Sequence, residues 1–566
     1  MKFGIRYRLI FGGIMWLFFA IAARGQIQSP GKPIGDFRAL KASDAIYMLP
    51  PLHPLQVEAL TQAKAEDLSK PMPFAIDRPL SISPLAQGVW SHQDGVHVWR
   101  AHIISPGAYS LGLIFEAFRL SEEVKVFVYD PDMAQVKGAY TRRNNKRSGI
   151  FAVGHLAGEE LIIEMQVPDA KYDDYGELSL GSLSHAFLPV AAKGTSDKRF
   201  GMSQPCEIDI NCVEGADWQL EKKSVVRIEN LKINQYCTGV LLNNTAYNGD
   251  PVILTAEHCI ESEEGAEKTI FVFNYESASC FGGDGSMDRS ISGSESLSIG
   301  DSIDFSLVRL SSSPPEDYDV YFAGWDLGES PDGPTTTIHH PQGDVKKISF
   351  DEDDPEATVD QSQIPPRFWD QIPYSFWWIK EWDVGSTEPG SSGSPLFTPE
   401  GQVIGVLSFG SAECGDSIGY DAETDRVIFS KTVNRDDYYT RLGIAWDYHP
   451  DASRSLKPWL DPVAAGVQSI GGLSPGAVPD YKPVKDRSYR VFPNPVGDLL
   501  WLSASGPHAG VLTYRIFDLR GVLLLEGSGA LPGPLEVNVN ELGSGIYVIQ
   551  IESGTNREVQ KFVISR

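Results

Sequence analysis

The residues best suited to nucleophilic chemistry are Gly390-Ser391-Ser392-Gly393, within the longer run 387–395. Glycine on both sides of the serine pair allows the backbone to turn tightly, so that Ser392 projects its hydroxyl. In such a turn the N–H groups of Gly390 and Ser392 point the same way and would form an oxyanion hole for a tetrahedral intermediate. A run rich in glycine and serine is also typical of an ordinary loop, so other residues must decide.

A candidate general base is His258, which follows an apolar strand at residues 252–254 and precedes Cys259. Cys237 lies at a distance along the chain that suits a bridge to Cys259 between two adjacent strands. Such a disulfide would hold the backbone of His258 rigid, as a general base requires.

The matching acid is Asp304, which begins the apolar strand 305–310. A carboxylate buried at the start of that strand would accept a hydrogen bond from the histidine ring and fix its tautomer. Asp301 is the alternative, but it lies among glycine, serine and aspartate residues and is expected to be solvated. The order His258, Asp304, Ser392 is that of the chymotrypsin-type double barrel, not of subtilisin or the α/β-hydrolases.

The elements that position these residues belong to a chain of several domains, since it has 566 residues. The net charge of −27 argues against a nucleic-acid partner. Residues 1–25 have a basic start and a short apolar run that ends in small residues, which predicts a signal peptide, with Gln26 as the first exported residue. A membrane anchor is the alternative, but the run is short for a membrane span.

Residues 26–200 contain no cysteine and alternate apolar with polar residues in short runs, for example at 96–104 and 124–129. This pattern predicts a β-sandwich. It is interpreted as a propeptide, because the catalytic stretch begins directly afterwards; an accessory carbohydrate-binding domain is the alternative. His97 and His102 are expected to be ordinary strand residues, since no third metal ligand follows at a useful spacing.

All six cysteines lie between residues 206 and 414. An even number confined to one part of an exported chain predicts three disulfides, although fifteen pairings are possible. The absence of a Cys-x-x-Cys pair argues against a zinc site. Neither a metal nor a cofactor is expected.

Residues 206 to about 473 resemble the bacterial secreted lysyl endopeptidases, a trypsin-like branch of the chymotrypsin fold. The resemblance is carried, in this order, by the stretches 206–212 (CEIDINC), 238–245 (TGVLLNNT), 254–259 (LTAEHC), 283–287 (GDGSM), 323–326 (AGWD), 338–341 (IHHP), 387–395 (TEPGSSGSP) and 459–462 (WLDP).

This resemblance implies an all-β protease domain over residues 201–473, built as a chymotrypsin-type double six-stranded β-barrel. It also implies that His339 and His340 are structural and that the mature chain starts near Gly201, with Lys198 just upstream as a self-cleavage site. The implied disulfides are Cys206–Cys414, Cys212–Cys280 and Cys237–Cys259.

The specificity pocket of that fold is walled by two strands that follow the nucleophile. Ser408-Phe409-Gly410 resembles the first wall, and Asp437 begins the segment that resembles the second. Asp437 therefore falls where lysyl endopeptidases carry the buried acid that binds the substrate lysine. An exposed aspartate beside Asp436 is the alternative.

Three departures from the related families mark the limits of the resemblance. The insertion 415–435 is longer than usual and offers other acids (Asp416, Asp421, Glu423 and Asp425). Ser408 stands where the lysyl endopeptidases have a histidine near the triad. Ser391 stands where trypsin has the aspartate that receives a new N-terminal amine, so the trypsin zymogen switch is not expected.

The tail begins with a linker at 474–486 and continues as a small all-β unit, predicted to be a β-sandwich, at 487–566. It resembles the C-terminal sorting domain of the type IX secretion system through the stretches 491–495 (VFPNP), 518–521 (DLRG), 542–547 (LGSGIY) and 561–563 (KFV). A generic fibronectin-like module is the alternative. The secretion machinery would be a partner of this domain.

Taken together, the sequence predicts a serine endopeptidase that is exported through the periplasm to the cell surface or medium and cuts after lysine. Its partners would be protein or peptide substrates with lysine before the scissile bond. The alternatives are a trypsin-like peptidase of broader Lys/Arg specificity and a non-catalytic surface adhesin on a protease scaffold. Neither nucleic acid nor a stable membrane span is expected.

Overall fold

The structure is a computed structural model that describes most of the chain. The described residues are 29–34, 46–65, 73–188, 202–329, 331, 333–357, 374–421, 426–430, 436–475, 489–492, 496, 499–504, 510–517, 523–531, 535–543, 545–553 and 556–564. Two compact units are present, Met1–Ala477 and Val478–Arg566. The predicted signal peptide and the predicted cleavage region around Lys198 and Gly201 lie outside the described residues.

The N-terminal part of the first unit is a β-sandwich, as the alternating pattern predicted. One sheet has the order β1-β4-β9-β6-β7 with β3 paired to β4, and the other has the order β2-β10-β5-β8. The inner faces of both sheets enclose one hydrophobic core. The strands are β1 (Ile46–Met48), β2 (Ala75–Ile82), β3 (Val89–Gln93), β4 (Val96–Ile104), β5 (Ser110–Leu120), β6 (Lys125–Tyr129), β7 (Val136–Tyr140), β8 (Phe151–Ala157), β9 (Glu160–Pro168) and β10 (Gly176–Ala186), and the helix α1 spans Pro54–Ala65.

Two further sheets carry the candidate catalytic residues. The first has seven strands in the order β16-β15-β12-β13-β14-β18-β17. The second has the order β11-β21-β20-β23-β24-β19-β28, with β27 paired to β24 and β22 paired to β27. Their strands are β11 (Ile208–Asp209), β12 (Val225–Asn230), β13 (Gln235–Leu242), β14 (Val252–Thr255), β15 (Thr269–Phe273), β16 (Ser290–Ser292), β17 (Ser294–Gly300), β18 (Phe305–Leu310), β19 (Gly324–Asp326), β20 (Thr335–His339), β21 (Lys347–Asp351), β22 (Phe376–Ile379), β23 (Pro395–Phe397), β24 (Gln402–Gly410), β27 (Asp437–Arg441) and β28 (Ser469–Ile470).

The all-β class and the two-sheet body of the predicted protease domain are confirmed, but the strand count differs from six and six. The first sheet gains a strand because Gly293, with φ of +77°, separates β16 from β17. The second sheet is extended by the short strands β11, β22 and β28, which add pairs at its edges. Strands such as Val252–Thr255 are buried on both faces, which accounts for their continuous apolar sequence.

Helices are few and short in this body: α2 (Glu263–Glu267), α3 (Leu442–Trp446) and α4 (Lys457–Leu460). The insertion 415–435 contributes a separate two-stranded hairpin, β25 (Ser417–Asp421) and β26 (Arg426–Phe429). Among the described residues we find no helix with the length and apolar character that crossing a bilayer requires.

The second unit consists of a three-stranded sheet (β29-β30-β33) and a four-stranded sheet (β32-β31-β34-β35) around one core. All-β structure is therefore confirmed for the tail. Its strands are β29 (Tyr489–Phe492), β30 (Leu499–Ala504), β31 (Gly510–Phe517), β32 (Leu523–Leu531), β33 (Leu535–Asn538), β34 (Gly545–Ser553) and β35 (Asn556–Ile564).

Candidate active site

Ser392 lies on a tight turn before β23 and is partly exposed. Gly390 and Gly393 flank the serine pair with φ of +102° and +80°, in the region that favours glycine. A Cβ atom on Gly393 would lie 2.1 Å from Oγ1 of Thr255, and one on Gly390 would lie 2.8 Å from the carbonyl oxygen of His340. Both glycines are therefore required by backbone conformation and by close packing.

His258 lies in the short 3-10 turn Glu257–Cys259 after β14. Its Nδ1 lies 2.9 Å from Oδ2 of Asp304, and its backbone N–H donates to Oδ1 of the same carboxylate at 3.0 Å. Because the Asp304 carboxylate accepts a hydrogen bond from Nδ1, the ring proton lies on Nδ1 and Nε2 is the basic nitrogen. Nε2 of His258 is buried without a hydrogen-bond partner among the described residues.

Asp304 is completely buried at the start of β18 and has a positive φ of +58°. Such a conformation is uncommon for a residue with a side chain and marks a locally constrained backbone. The rival, Asp301, is solvated as expected: its carboxylate is largely exposed and pairs with Arg454 at 2.8 Å. The structure therefore brings Asp304, and not Asp301, to His258.

The turn that carries Ser392 packs against the strand that carries Cys237. The backbone N–H of Thr238 donates to the carbonyl oxygen of Ser392 at 2.8 Å, and its hydroxyl donates to that of Gly390 at 2.9 Å. In addition, Sγ of Cys259, the residue after His258, lies 3.7 Å from the Ser392 carbonyl oxygen. The candidate nucleophile and the candidate base thus lie on neighbouring segments at the junction of the two sheets.

The predicted oxyanion hole consists of the N–H groups of Gly390 and Ser392. Within the described part of the chain, neither of these N–H groups donates a hydrogen bond. Because Thr238 binds the carbonyl groups of the same two residues, the turn is held from one side. This role of Thr238 was not predicted from the sequence. The residue was noted there only as the first of the stretch 238–245, which carries the family resemblance.

Ser391 faces away from this group. Its hydroxyl lies 2.7 Å from Nδ1 of His339 and accepts from the backbone N–H of Glu388 at 3.1 Å. His339 and His340 are fully buried, and burial lowers the pKa of His339 to about 3 and that of His340 well below its ordinary value. Neutral, buried imidazoles of this kind fit the structural role that the resemblance implied.

The three disulfides are Cys206–Cys414, Cys212–Cys280 and Cys237–Cys259. The third joins β13 to the turn of His258, the constraint expected from the sequence. The first ties the start of the described protease segment to the loop that follows β24, across 208 residues of sequence.

The three residues predicted for the first pocket wall lie at the end of β24 but differ in the contacts of their side chains. Ser408 is buried, and its hydroxyl donates to Oδ2 of Asp304 at 2.5 Å, so this side chain contacts the candidate triad. The ring of Phe409 stacks on Tyr438 with centroids 4.8 Å apart. Gly410 pairs with Asp437, and a Cβ atom on it would lie 1.8 Å from Oδ1 of that residue.

Asp437 is almost completely buried at the start of β27. Nε1 of Trp382 and Oγ1 of Thr387 both donate to its Oδ2 at 2.7 Å. Burial nevertheless raises the pKa of Asp437 to about 7, and these hydrogen bonds oppose the rise. Trp382 and Thr387 were missed from the sequence, and Trp382 carries no local signal there, since it precedes Asp437 by 55 residues.

Other acids near the pocket are placed differently. Asp436 accepts from Nε1 of Trp378 at 2.7 Å and from the hydroxyl of Tyr438 at 3.0 Å. Asp416 is exposed. Glu423 and Asp425 lie outside the described residues. Of Asp416, Asp436 and Asp437, Asp437 is the one that is buried.

Residues 200–425 match the family "Lysyl endopeptidase, C-terminal domain", and residues 490–565 match the family "Secretion system C-terminal sorting domain". A lysyl endopeptidase of Pseudomonas aeruginosa is 25% identical over 302 residues, which cover 50% of this chain and 59% of that protein. The chain thus spans about three-fifths of the length of this curated relative.

Solved structures with similarity include a Glu endopeptidase in complex with MPD and kallikrein-related peptidase 10. The first is 12% identical with a TM-score of 0.23 and covers 39% of this chain and 86% of its own. The second is 13% identical with a TM-score of 0.25 and covers 41% of this chain and 93% of its own. These scores are too low to support an argument about function. The sorting domain indicates export. This chain is thus similar to the lysyl endopeptidases over residues 200–425 and to secretion system sorting domains over residues 490–565.

Proposed function

We propose that this protein is a serine endopeptidase that cleaves peptide bonds on the carboxyl side of lysine. The proposal is carried by the buried His258–Asp304 pair, next to a partly exposed serine on a glycine-bounded turn. The match of the surrounding domain to a lysyl endopeptidase family supports it.

The reaction follows from the proposed roles of the three residues. Oγ of Ser392 attacks the carbonyl carbon of the scissile bond, and its proton passes to Nε2 of His258. Asp304 holds the Nδ1–H group and stabilises the imidazolium. The oxyanion accepts hydrogen bonds from the N–H groups of Gly390 and Ser392. Collapse of the intermediate expels the amine, which takes the proton from His258, and water then hydrolyses the acyl-enzyme by the same steps.

Replacement of the nucleophile tests this proposal. We expect Ser392→Ala to lower kcat by about 10⁶, because the acyl-enzyme can no longer form. A fluorophosphonate probe should label the parent protein and leave Ser392→Ala unlabelled. Ser391→Ala is the matched control, since its hydroxyl faces His339, and it should still be labelled. Labelling of Ser392→Ala at the parental rate would refute the assignment.

The proposed choice of lysine rests on Asp437. A buried carboxylate beside the segment that precedes Ser392 attracts a substrate cation by direct pairing. Ser386, where trypsin has its acid, carries no charge. An acid at the side of the pocket fits the compact ammonium of lysine better than the wide, planar guanidinium of arginine. A trypsin-like peptidase that accepts both residues is the alternative.

Two peptides that differ only in lysine or arginine before the scissile bond separate these alternatives. We expect kcat/KM to favour lysine by at least tenfold, because the wide guanidinium of arginine pairs less well with an acid at the side of the pocket. A third peptide with norleucine at that position controls for the apolar part of the side chain. Equal cleavage of the lysine and arginine peptides would exclude lysine-only recognition.

We also propose that the C-terminal domain directs export of the protein. The sorting domain is proposed to bind the type IX secretion machinery, so deletion of residues 487–566 should leave the protein in the periplasm.

The N-terminal sandwich is proposed to be a propeptide, with a mature chain that starts near Gly201. N-terminal sequencing of active secreted enzyme tests this, and a start near Gln26 would refute it.

A further inference from the structure

The N-terminal sandwich contains a second group of functional side chains, far from the candidate triad in sequence. His92, His97 and Asp169 place one ligand atom each within 4.8 Å of one another. Nε2 of His92 lies 2.8 Å from Oδ1 of Asp169, and Nε2 of His97 lies 3.3 Å from the same oxygen. Two imidazole nitrogens therefore converge on a single carboxylate oxygen.

The β3–β4 hairpin fixes the two histidines as a pair. Asp94 and Gly95 form its two-residue turn with φ of +51° and +79°, as a type I′ turn requires. His92 and His97 stand directly opposite each other, one pair beyond the residues that flank this turn. Pairs at that place in an antiparallel ladder are not hydrogen-bonded through the backbone, and their side chains approach closely. The two rings are accordingly 4.5 Å apart.

Asp169 is brought to this pair by the neighbouring strand β9. His97 is paired with Val167 near the end of this strand, and Asp169 begins the short 3-10 turn Asp169–Lys171 that follows Pro168 directly. The backbone N–H of Asp169 donates to the carbonyl oxygen of Gly95 at 3.1 Å. This bond ties the carboxylate-bearing residue to the turn of the hairpin.

Aromatic side chains pack against the ring of His97 on one side. The ring of Tyr172 stacks on His97 with centroids 3.8 Å apart, and Trp90 meets the edge of Tyr172 at 5.4 Å. Trp90 precedes His92 by two residues and so shares its face of β3. The ring of His97 is thus packed on one side, while the side chains of His92 and Asp169 remain 52% and 55% exposed to solvent.

We propose that His92, His97 and Asp169 form a binding site for a divalent transition metal, with Zn²⁺ as the ion of choice. Two imidazoles and a carboxylate suit zinc, nickel or copper, whereas magnesium and calcium prefer oxygen ligands. At zinc bond lengths of about 2.0–2.1 Å, the ligand atoms of a tetrahedral site are about 3.3 Å apart. The 3.3 Å between Nε2 of His97 and the Asp169 oxygen matches that value, whereas Nε2 of His92, at 2.8 Å, would move outward by about 0.5 Å when the ion binds. Solvent would supply the fourth ligand.

Binding exchanges the hydrogen-bonded group for a metal-centred one. Each imidazole coordinates through a deprotonated Nε2, so the proton now shared with Asp169 moves to Nδ1 or to solvent. The ion then links the hairpin to the end of β9 and stabilises that end of the sandwich. This site is independent of the proposed peptidase activity. The sequence alone did not reveal it because Asp169 follows His92 by 77 residues.

Calorimetric titration with Zn²⁺ tests the site. The protein is the full chain carrying Ser392→Ala, without a histidine tag, so that the sandwich stays attached. We expect one Zn²⁺ per chain and no competing response to Mg²⁺. His92→Ala and His97→Ala should each weaken binding at least tenfold, since loss of a ligand exceeds the effect of losing its supporting residues. At a hundredfold excess over Kd, zinc should raise Tm of the sandwich by about 5 °C or more.

Matched controls make the result decisive. His53→Ala removes an exposed histidine at the start of α1 and should leave binding unchanged. Asp169→Asn keeps the size of the side chain and should still weaken binding. Because His97 packs on Tyr172, His97→Ala can fail to fold; the exposed His92→Gln then decides alone. Absence of saturable Zn²⁺ binding, or binding that His92→Ala and His92→Gln leave unchanged, would overturn the proposal.

Discussion

Asp304 and Asp437 are both buried aspartates, yet their carboxylates are held in different ways. Asp304 receives the backbone N–H and the ring of His258, and the hydroxyl of Ser408, so a titratable base lies against it. Asp437 receives neutral donors from Trp382 and Thr387. Burial raises the pKa of Asp437 to about 7 in spite of these hydrogen bonds. A carboxylate that has only neutral side-chain donors among the described residues is suited to take a cation from a substrate.

The difference assigns separate tasks to the two carboxylates. Loss of the Asp304 charge should impair the chemical step on any substrate, because the base would lose its tautomer and its stabilising charge. Loss of the Asp437 charge should impair the recognition of lysine and spare the reactivity of Ser392. A substitution of either aspartate that impaired the chemical step and lysine recognition equally would contradict this division of tasks.

Of the two aspartates, Asp304 is expected to give the larger effect when it is replaced by asparagine. The asparagine side chain has only one oxygen that can accept hydrogen bonds from His258, and it carries no charge to stabilise the imidazolium. We therefore expect kcat to fall by about 10⁴ with little change in KM. Steady-state kinetics on a lysyl peptide measures both constants. Asp301→Asn is the control and should change kcat less than twofold, since Asp301 is exposed and pairs with Arg454. The opposite ranking of the two variants would mean that the acid is Asp301.

The next effect is expected from Asp437→Asn. We expect kcat/KM on lysyl peptides to fall by about 10² or more, because removal of one partner of a desolvated charge pair costs about 2–5 kcal/mol. The rate of fluorophosphonate labelling should stay near that of the parent. Asp436→Asn is the matched control and should change kcat/KM only a few-fold, since Asp436 already pairs with Trp378 and Tyr438. Indifference to Asp437→Asn would move the acid to the insertion 415–435.

The candidate triad was predictable because each member belongs to a short local pattern. Ser392 lies between glycines, His258 follows an apolar strand, and Asp304 precedes one. The order of the three along the chain, together with family motifs, was enough to indicate the fold. Those patterns depend on neighbours in sequence, which a reader of the sequence can inspect directly.

The partners of these residues were less predictable because they come from distant parts of the chain. Ser408 was predicted as a pocket wall, but its hydroxyl contacts Asp304, 104 residues earlier. Thr238 holds the Ser392 turn across 152 residues through Gly390. A tryptophan such as Trp382 appears in a sequence as a generic apolar residue, and only the fold reveals that its N–H group donates to Asp437.

The raised pKa of Asp437 predicts that lysine recognition depends on pH. With a pKa of about 7, Asp437 is neutral below that pH and charged above it. Only the charged form pairs with an ammonium, so kcat/KM on lysyl peptides should fall by up to tenfold for each pH unit below about 7 through this group alone. Division by the labelling rate of a fluorophosphonate probe at each pH removes the titration of the catalytic base. A pH-independent ratio would contradict the raised pKa.

The smallest effect is expected from Thr387→Val, which removes one donor from Oδ2 of Asp437 and keeps the shape of the side chain. The hydrogen bond stabilises the charged form, so its loss should raise the pKa of Asp437 further. A bond to a charged group contributes about 1.5–3 kcal/mol, so the midpoint of the ratio profile should rise by about one to two pH units. At pH 7 the variant should therefore cleave lysyl peptides about tenfold more slowly than the parent.

Thr387→Ser separates this electrostatic effect from a packing defect, because it keeps the hydroxyl and removes only the methyl group. Its midpoint should stay near that of the parent. At a pH well above both midpoints, the valine variant should recover most of the parental kcat/KM, since Asp437 is then charged in both proteins. A defect of equal size at every pH would show that Thr387 supports the pocket by its shape. The Thr387 hydroxyl would then have no measurable effect on the pKa of Asp437, and the contrast with Asp304 would lie in the histidine that contacts Asp304.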